Sequence, residues 1–220
     1  MKCIIPCAGL SSRMNYIPKH LVKVQNKPLI QYVIDTWTNV CDTFVFVIHP
    51  SMGYMLEHLP KDSIFVMQEE PLGLANAILR TERIFGRKER FVIALGDCIH
   101  RGTFEITKCR LGIGVWVTSD ADELKKSYSV EVDSVGAIKT LIEKPKNLDV
   151  GNCGMGTYFM DSRVFKYIES TPVAPGGGDF TLILQHMILS GEEIKPIWFK
   201  GSYVNVGSPE DLAKAEKILK

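Results

Sequence analysis

The sequence predicts an α/β fold of three layers: a mixed, mostly parallel sheet with helices on both faces. Two observations carry this expectation. Residues 44–48 (FVFVI) and 91–95 (FVIAL) are continuous apolar runs, the pattern of strands buried on both faces. Between such runs lie stretches whose apolar residues recur at helical spacing, as Leu29, Tyr32, Val33 and Trp37 do. Strands alternating with helices imply a parallel sheet covered on both sides.

Residues 2–5 form the first expected strand, leading into the small-residue turn Ala8-Gly9-Leu10-Ser11-Ser12. Pro28 suits the first turn of a helix through Ile34. Strands are expected at 44–48 and 64–67. A helix follows at 75–85, with Ala77, Ile78, Ile84 and Phe85 on its apolar face, and then a strand at 91–95 that ends in Gly96-Asp97. The second half predicts a strand at 113–118 and a hairpin of 129–133 with 137–142, turning at Ser134-Val135-Gly136. It continues with a strand at 156–160, a helix at 179–189 capped by Asp179, and two short strands at 194–199 and 203–206. Ser208-Pro209-Glu210-Asp211 opens the last helix with a serine cap, a proline at its first position and acids in its first turn. Lys214, Lys217 and Lys220 lie toward the other end, as the helix dipole favours. This half adds antiparallel strands to the sheet.

Composition narrows the function. The chain has 220 residues, 45% hydrophobic and 23% charged, which fits a single domain with a substantial core. Its net charge of +1 gives no general field for nucleic acid or a membrane surface. No apolar run approaches the ~20 residues of a membrane-spanning helix. The apolar start is broken by Pro6 and is too short for a signal-peptide core, so a cytoplasmic protein is expected. The six cysteines form no CxxC pair and read as reduced, buried small hydrophobes rather than a zinc site. Repeats are absent, and the sequence carries no hexapeptide-repeat tail after residue 220, so 1–220 is expected to be one domain.

Open α/β sheets bind ligands beyond the carboxyl ends of their strands, and four polar features fall at such ends. The turn from Ala8 through Gly9, Ser11 and Ser12 can form an anion nest of backbone N–H groups. With Arg13 and Lys19 just beyond, it suggests a polyphosphate cradle. The alternative is an ordinary strand-to-helix turn with two solvated cations. Asp97 can hold Mg²⁺, which takes oxygen ligands, or can cap a helix. Gln68, in the stretch 68–77 (QEEPLGLANA) with Pro71 and Gly73, presents a donor and an acceptor side by side, as a base edge requires. It does not choose the base, and a plain loop with a solvated glutamine is the other reading. The fourth feature is Asn205-Val206-Gly207. Elsewhere, Glu143-Lys144-Pro145 offers an acceptor for hydroxyls and a cation for phosphate, or is a solvated surface pair.

The segments PCAGLSSRMNYIPK, QEEPLGLANA, LGDC, IEKP, GTYF and YVNVGSPEDL occur here in the order seen in sugar-phosphate nucleotidyltransferases, and the chain resembles that family over almost its whole length. The resemblance implies a Rossmann-like nucleotidyltransferase fold. It also implies Mg²⁺-dependent transfer from a nucleoside triphosphate to a sugar 1-phosphate or similar phosphorylated small molecule, with release of pyrophosphate. By resemblance, Gly9 and Ser11 cradle the triphosphate and Arg13 holds its β and γ groups. Lys19 steadies the α-phosphate, Gln68 and Gly73 read the base, Glu143 and Gly156 contact the sugar, and Lys144 its phosphate. Three positions depart from the family. Ser11-Ser12-Arg13 replaces a Gly-Thr-Arg form and resembles the small cytidylyltransferases. Ser129 stands for glycine in an acceptor-binding Tyr-Gly-Val. Asn205 stands for a metal-binding aspartate; its carbonyl can coordinate Mg²⁺ with one negative charge fewer. These departures leave two alternatives, a cytidylyltransferase for a non-sugar phosphate or phosphonate and a weakly catalytic nucleotide-binding homologue. A dinucleotide oxidoreductase is excluded by the missing GxGxxG. The partners expected are a triphosphate and a phosphorylated acceptor. Nucleic acid and membrane are not expected, and a homo-oligomer is compatible with the sequence.

Overall fold

The first strand, β1 (Lys2–Pro6), splits its buried side chains between two cores. Ile4 packs with Phe91, Ile93, Phe165 and Ile183, whereas Cys3 and Ile5 pack with Ile30, Val33, Trp37 and Phe46. Because successive strand residues point to opposite faces, these two clusters make the sheet the middle of three layers. The structure is a computed structural model and describes residues 1–9, 18–106, 109–145, 150–172 and 180–220.

After β1 come a small ladder of β2 (Lys23–Val24) with β3 (Lys27–Pro28), helix α1 (Leu29–Trp37), β4 (Thr43–Ile48), β5 (Ile64–Met67), α2 (Gly73–Leu79) and β6 (Arg90–Ala94). There follow β7 (Cys98–Phe104), β8 (Leu111–Thr118), α3 (Ala121–Lys126), β9 (Tyr128–Val132), β10 (Ile138–Glu143) and β11 (Gly151–Asp161). The chain finishes with α4 (Arg163–Ser170), α5 (Phe180–Leu189), β12 (Ile194–Asn205) and α6 (Pro209–Ile218).

The main sheet runs β5-β4-β1-β6-β11-β8-β12-β7, with the β9–β10 hairpin attached to β11. β5, β4, β1 and β6 are mutually parallel. β11 runs against both β6 and β8, while β12 is parallel to β8 and β7 is antiparallel to β12. Two reversals bring β12 back to the direction of β6, so β1, β5, β6 and β12 all end at one edge. This is the mixed sheet, with most strands running one way, that the sequence predicts.

Several elements differ from the sequence reading, each for a local reason. Pro28 does not enter α1: with ψ at 141° it is extended and pairs with Lys23. The helix expected at 75–85 ends at Leu79, where Thr81 turns its hydroxyl back onto the Ile78 carbonyl at 2.7 Å, and a short 3₁₀ turn (Glu82–Ile84) follows. The two strands expected at 194–206 are one strand that changes partner, from β8 to β7, at Phe199. Gly201 reads as a break in sequence but is a close approach: a Cβ there would lie 2.2 Å from the Arg101 carbonyl oxygen. Strand β7 and helices α3 and α4 were not foreseen. Helix α5 starts at Phe180; Asp179, its expected cap, lies outside the described residues.

Helix α6 begins as expected. The Asp211 carboxylate accepts the backbone N–H groups of Gly207 and Ser208 at 3.0 and 2.9 Å, and pairs with Lys126. This ties the turn after β12 to α3. The six cysteines are free and all but Cys109 are buried. Among the described residues, no helix is long and apolar enough to cross a membrane.

Candidate active site

The shared carboxyl edge of β1, β5, β6 and β12 opens as a cleft of two lobes. The first, about 270 Å³, is bordered by Ala8, Gly9, Lys19, Gln68, Pro71, Gly73 and Asp97. The second, about 200 Å³, is bordered by Lys126, Tyr128, Glu143, Gly156, Thr181 and Asn205. Leu74 and Leu95 border both, so the lobes adjoin. A larger cavity, about 600 Å³, opens at the start of β12, but none of the predicted site residues line it. Its charges are internally matched, Arg163 with Asp161 and Glu192 and Lys195 with Glu193.

In the first lobe β6 delivers Asp97 through a fixed turn. The Leu95 N–H donates to the Gly156 carbonyl at 3.0 Å, and the Asp97 carbonyl accepts the Val206 N–H at 2.8 Å. The Asp97 carboxylate pairs with Lys19, which a 3₁₀ turn (Lys19–Leu21) presents directly after Pro18. Burial works against both charges, yet each holds the other ionised: the Asp97 carboxyl lies below and the Lys19 ammonium above its ordinary range. Gln68 is buried and its amide nitrogen donates to the Gly73 carbonyl at 3.2 Å and to Asn76 Oδ1 at 3.1 Å. Ser11, Ser12 and Arg13 lie outside the described residues.

His20, next to Lys19, is buried, and burial, helped by the Lys19 charge, lowers its imidazole to about 4. His100 on β7, among Phe104, Phe199 and Tyr203, is lowered by burial to about 3, and neither of its ring nitrogens has a hydrogen-bond partner among the described residues. An unfolded imidazole takes up its proton near pH 6.5, so below that pH the unfolded chain binds protons that the folded chain refuses. Stability is therefore expected to fall as pH drops from about 6.5 toward 4, by up to about 1.4 kcal/mol per pH unit for each histidine. Urea denaturation at pH 7, 6 and 5 measures this, and His100→Phe should roughly halve the slope.

The second lobe is rich in groups that bind hydroxyls. Glu143 ends β10 and its Oε2 accepts the Thr181 hydroxyl at 2.7 Å, while Tyr128, Tyr158 and Tyr203 form buried walls. Gly156 enters the lobe because β11 loses register with β8 between Gly154 and Tyr158, and its φ is 61°. A Cβ there would also lie 2.6 Å from Leu95 Cδ1. Gly156→Ala is expected to destabilise the fold by about 1–3 kcal/mol, from backbone strain and a displaced Leu95. Equilibrium denaturation reads the loss directly.

Two predicted acceptor residues are not part of the lining. Ser129 is buried one residue beyond Tyr128, in register with Cys153 and Ile142; strand alternation puts it on the other face from Tyr128. Lys144 is exposed, holds φ at 45°, and its N–H donates to the Ser127 carbonyl at 2.8 Å. Sequence reasoning missed Lys126, Thr181 and Tyr203. Tyr203 was recoverable, because it stands two residues before Asn205 on a strand and so shares its face. Lys126 was recoverable from Asp120, whose carboxylate caps α3 by accepting the N–H groups of Asp122 and Glu123 at 3.0 and 3.2 Å.

Asn205 pairs across the ladder with Cys98, the residue after Asp97, and its N–H donates to Glu123 Oε2 at 3.2 Å. Asp97, directly before β7, and Asn205, the last residue of β12, thus lie at the same end of one antiparallel strand pair. Among the described residues, no three or more His, Cys, Asp or Glu side chains gather as a complete metal cage. Asp97 already faces a cation, Lys19, and stays ionised. Two protein oxygens fit a small hard dication that takes its remaining ligands from phosphates and water.

The sequence profile described as nucleotidyl transferase matches residues 10–220. Over 229 residues the chain is 27% identical to the bifunctional protein GlmU of Methanocaldococcus jannaschii, covering 100% of this chain and 54% of that one. It is 25% identical over 241 residues to a glucose-1-phosphate thymidylyltransferase of Streptomyces antibioticus, covering 100% and 66%. The solved inositol-1-phosphate CTP transferase of T. maritima superposes with a TM-score of 0.83 at 20% identity, covering 99% of this chain and 94% of that one. The chain spans between about half and two thirds of the length of the first curated relatives it matches.

Proposed function

The chain belongs to the nucleotidyl transferase family, and from that premise we propose that it transfers a nucleotidyl group from a nucleoside triphosphate to a sugar 1-phosphate or similar phosphorylated small molecule. One observation carries the reading: Leu74 and Leu95 border both lobes, so that ligands in the two meet at a common boundary. The acceptor's phosphate oxygen attacks the α-phosphorus, the bond from that phosphorus to the bridging oxygen breaks, and pyrophosphate leaves. No side-chain nucleophile takes part, and the rate comes from positioning and from neutralising charge.

Ala8 and Gly9, with Ser11, Ser12 and Arg13, cradle the triphosphate in this reading. Lys19 leaves Asp97 for the α-phosphate, where negative charge grows. Gln68 reads the base, with Pro71 and Gly73 shaping its surroundings. Glu143, held by Thr181, accepts hydrogen bonds from acceptor hydroxyls over Gly156, and Lys144 reaches the acceptor phosphate. When bound, Mg²⁺ held by Asp97 and Asn205 supplies charge neutralisation at the phosphate oxygens, more weakly than two carboxylates would allow.

The test is a panel of UTP, dTTP, CTP and GTP against glucose 1-phosphate, mannose 1-phosphate and inositol 1-phosphate, with Mg²⁺, reading phosphate after added pyrophosphatase. Turnover of at least one pair supports the reading. Silence of every pair, in protein that binds a triphosphate by calorimetry, overturns catalysis.

A further inference from the structure

We propose that Asn76 and Arg80 set the base specificity of the first lobe by fixing which end of the Gln68 amide meets the base. The inference rests on the proposed function, in which Gln68 is the base reader. A glutamine amide carries a donor at one end and an acceptor at the other, and half a turn exchanges them with little change of shape. A glutamine free to turn serves a base that offers an N–H and a base that offers a carbonyl alike.

Gln68 is not free to turn. It is only 4% exposed, and its Nε2 faces two acceptors, the Gly73 carbonyl and Asn76 Oδ1. The Asn76 amide carries the same ambiguity, and Arg80 removes it. Arg80, which caps the C-terminus of α2 one turn beyond Asn76, donates its Nε–H to Asn76 Oδ1 at 3.0 Å, while its Nη1 reaches the Met67 carbonyl at 3.4 Å. A guanidinium has donors and no acceptor, so the Asn76 atom turned toward it is the oxygen. That oxygen in turn demands the nitrogen end of Gln68. Met67 adjoins Gln68, so the contact that anchors Arg80 lies on the same strand end as the reader.

The constraint runs from a fixed guanidinium through Asn76 to Gln68 and leaves the Gln68 carbonyl oxygen as the group offered to a ligand. An acceptor in that place matches a base that brings an N–H and rejects one that brings a lone pair, which would leave two acceptors face to face. UTP and CTP isolate this contrast, because they differ only in an N–H and carbonyl exchanged for a ring nitrogen and an amine.

Calorimetry of UTP and CTP binding to the full chain tests the relay. The wild type is expected to bind UTP about tenfold or more tightly than CTP, the scale of one mismatched buried hydrogen bond, and a preference for CTP overturns the inference. Asn76→Leu removes one of the two acceptors and should narrow the ratio about threefold, with the Gly73 carbonyl holding the remainder. Arg80→Leu, at an exposed position, should do the same without touching the cleft, because Asn76 can then turn its own NH₂ toward Gln68. Asn76→Asp keeps an acceptor facing both partners and should keep the wild-type ratio. Equal binding of UTP and CTP by the wild type overturns the inference, as do Leu variants at 76 and 80 that fold and keep the ratio. Gln68→Leu separates the two layers. If it erases the ratio while the other variants keep it, the relay alone fails. If it leaves the ratio intact, Gln68 is not the reader and that part of the proposed function fails with it.

Discussion

Asp97→Ala is expected to lower kcat/KM by about a thousandfold or more, because it removes the only carboxylate of the proposed metal pair. A dication at a phosphoryl group contributes several kcal/mol of charge stabilisation, and each 1.36 kcal/mol is a factor of ten in rate. In most sites built from two carboxylates one can partly cover for the other. Here the second position is Asn205, which contributes a neutral oxygen, so nothing of equal charge remains. Asp97→Asn should retain more activity than Asp97→Ala and need a higher Mg²⁺ concentration to reach it. Initial rates over a Mg²⁺ series, by pyrophosphate release, measure both effects. A rate within threefold of wild type in Asp97→Ala would remove Asp97 from the metal site. The converse change, Asn205→Asp, is expected to lower the Mg²⁺ concentration for half-maximal rate.

The sequence made Asp97 legible because the signal was local: a continuous apolar strand stopped at a glycine and an acid, and a parallel sheet puts such ends at the ligand edge. Gln68, Gly73 and Asn205 were legible for the same reason. What the sequence hid was set by register or by partners far along the chain. Gly156 was named through the resemblance alone, with no local sign in the strand expected at 156–160, and the loss of pairing between β11 and β8 is what turns it into the lobe. Ser129 was placed among the acceptor residues by the resemblance, whereas the one-residue alternation of β9 puts it on the other face from Tyr128, which borders the second lobe. Thr181 became visible only when α5 packed against β10, since its partner Glu143 is 38 residues away. The Lys19–Asp97 pair spans 78 residues and could not be read from either motif alone. Short helices were lost for a different reason. Six residues in α3 give too few turns for periodicity to register, although Asp120 marks where it starts.

Lys19→Met is expected to lower kcat by about 10²–10³-fold, the usual loss when one group facing developing charge is removed. The variant also changes the free protein, and the two effects must be told apart. In the unliganded cleft Lys19 and Asp97 hold each other ionised with side chains only 18% and 15% exposed. Removing either partner leaves the other charge with little water and without the counter-ion that offsets its burial. Breaking a fully buried pair costs about 3–5 kcal/mol, and partial exposure reduces this to about half. Lys19→Met and Asp97→Asn should therefore each lower the urea midpoint. The double variant removes both charges together and should recover a good part of that loss, giving a positive coupling in a double-mutant cycle. Catalysis should not recover with it, because Lys19 and Asp97 are assigned different partners in the reaction, the α-phosphate and the metal. A double variant as stable as wild type but at least a hundredfold slower would assign the defect to chemistry rather than folding. Recovery of rate alongside stability would instead mean that the pair only builds the cleft, and the α-phosphate would need another cation.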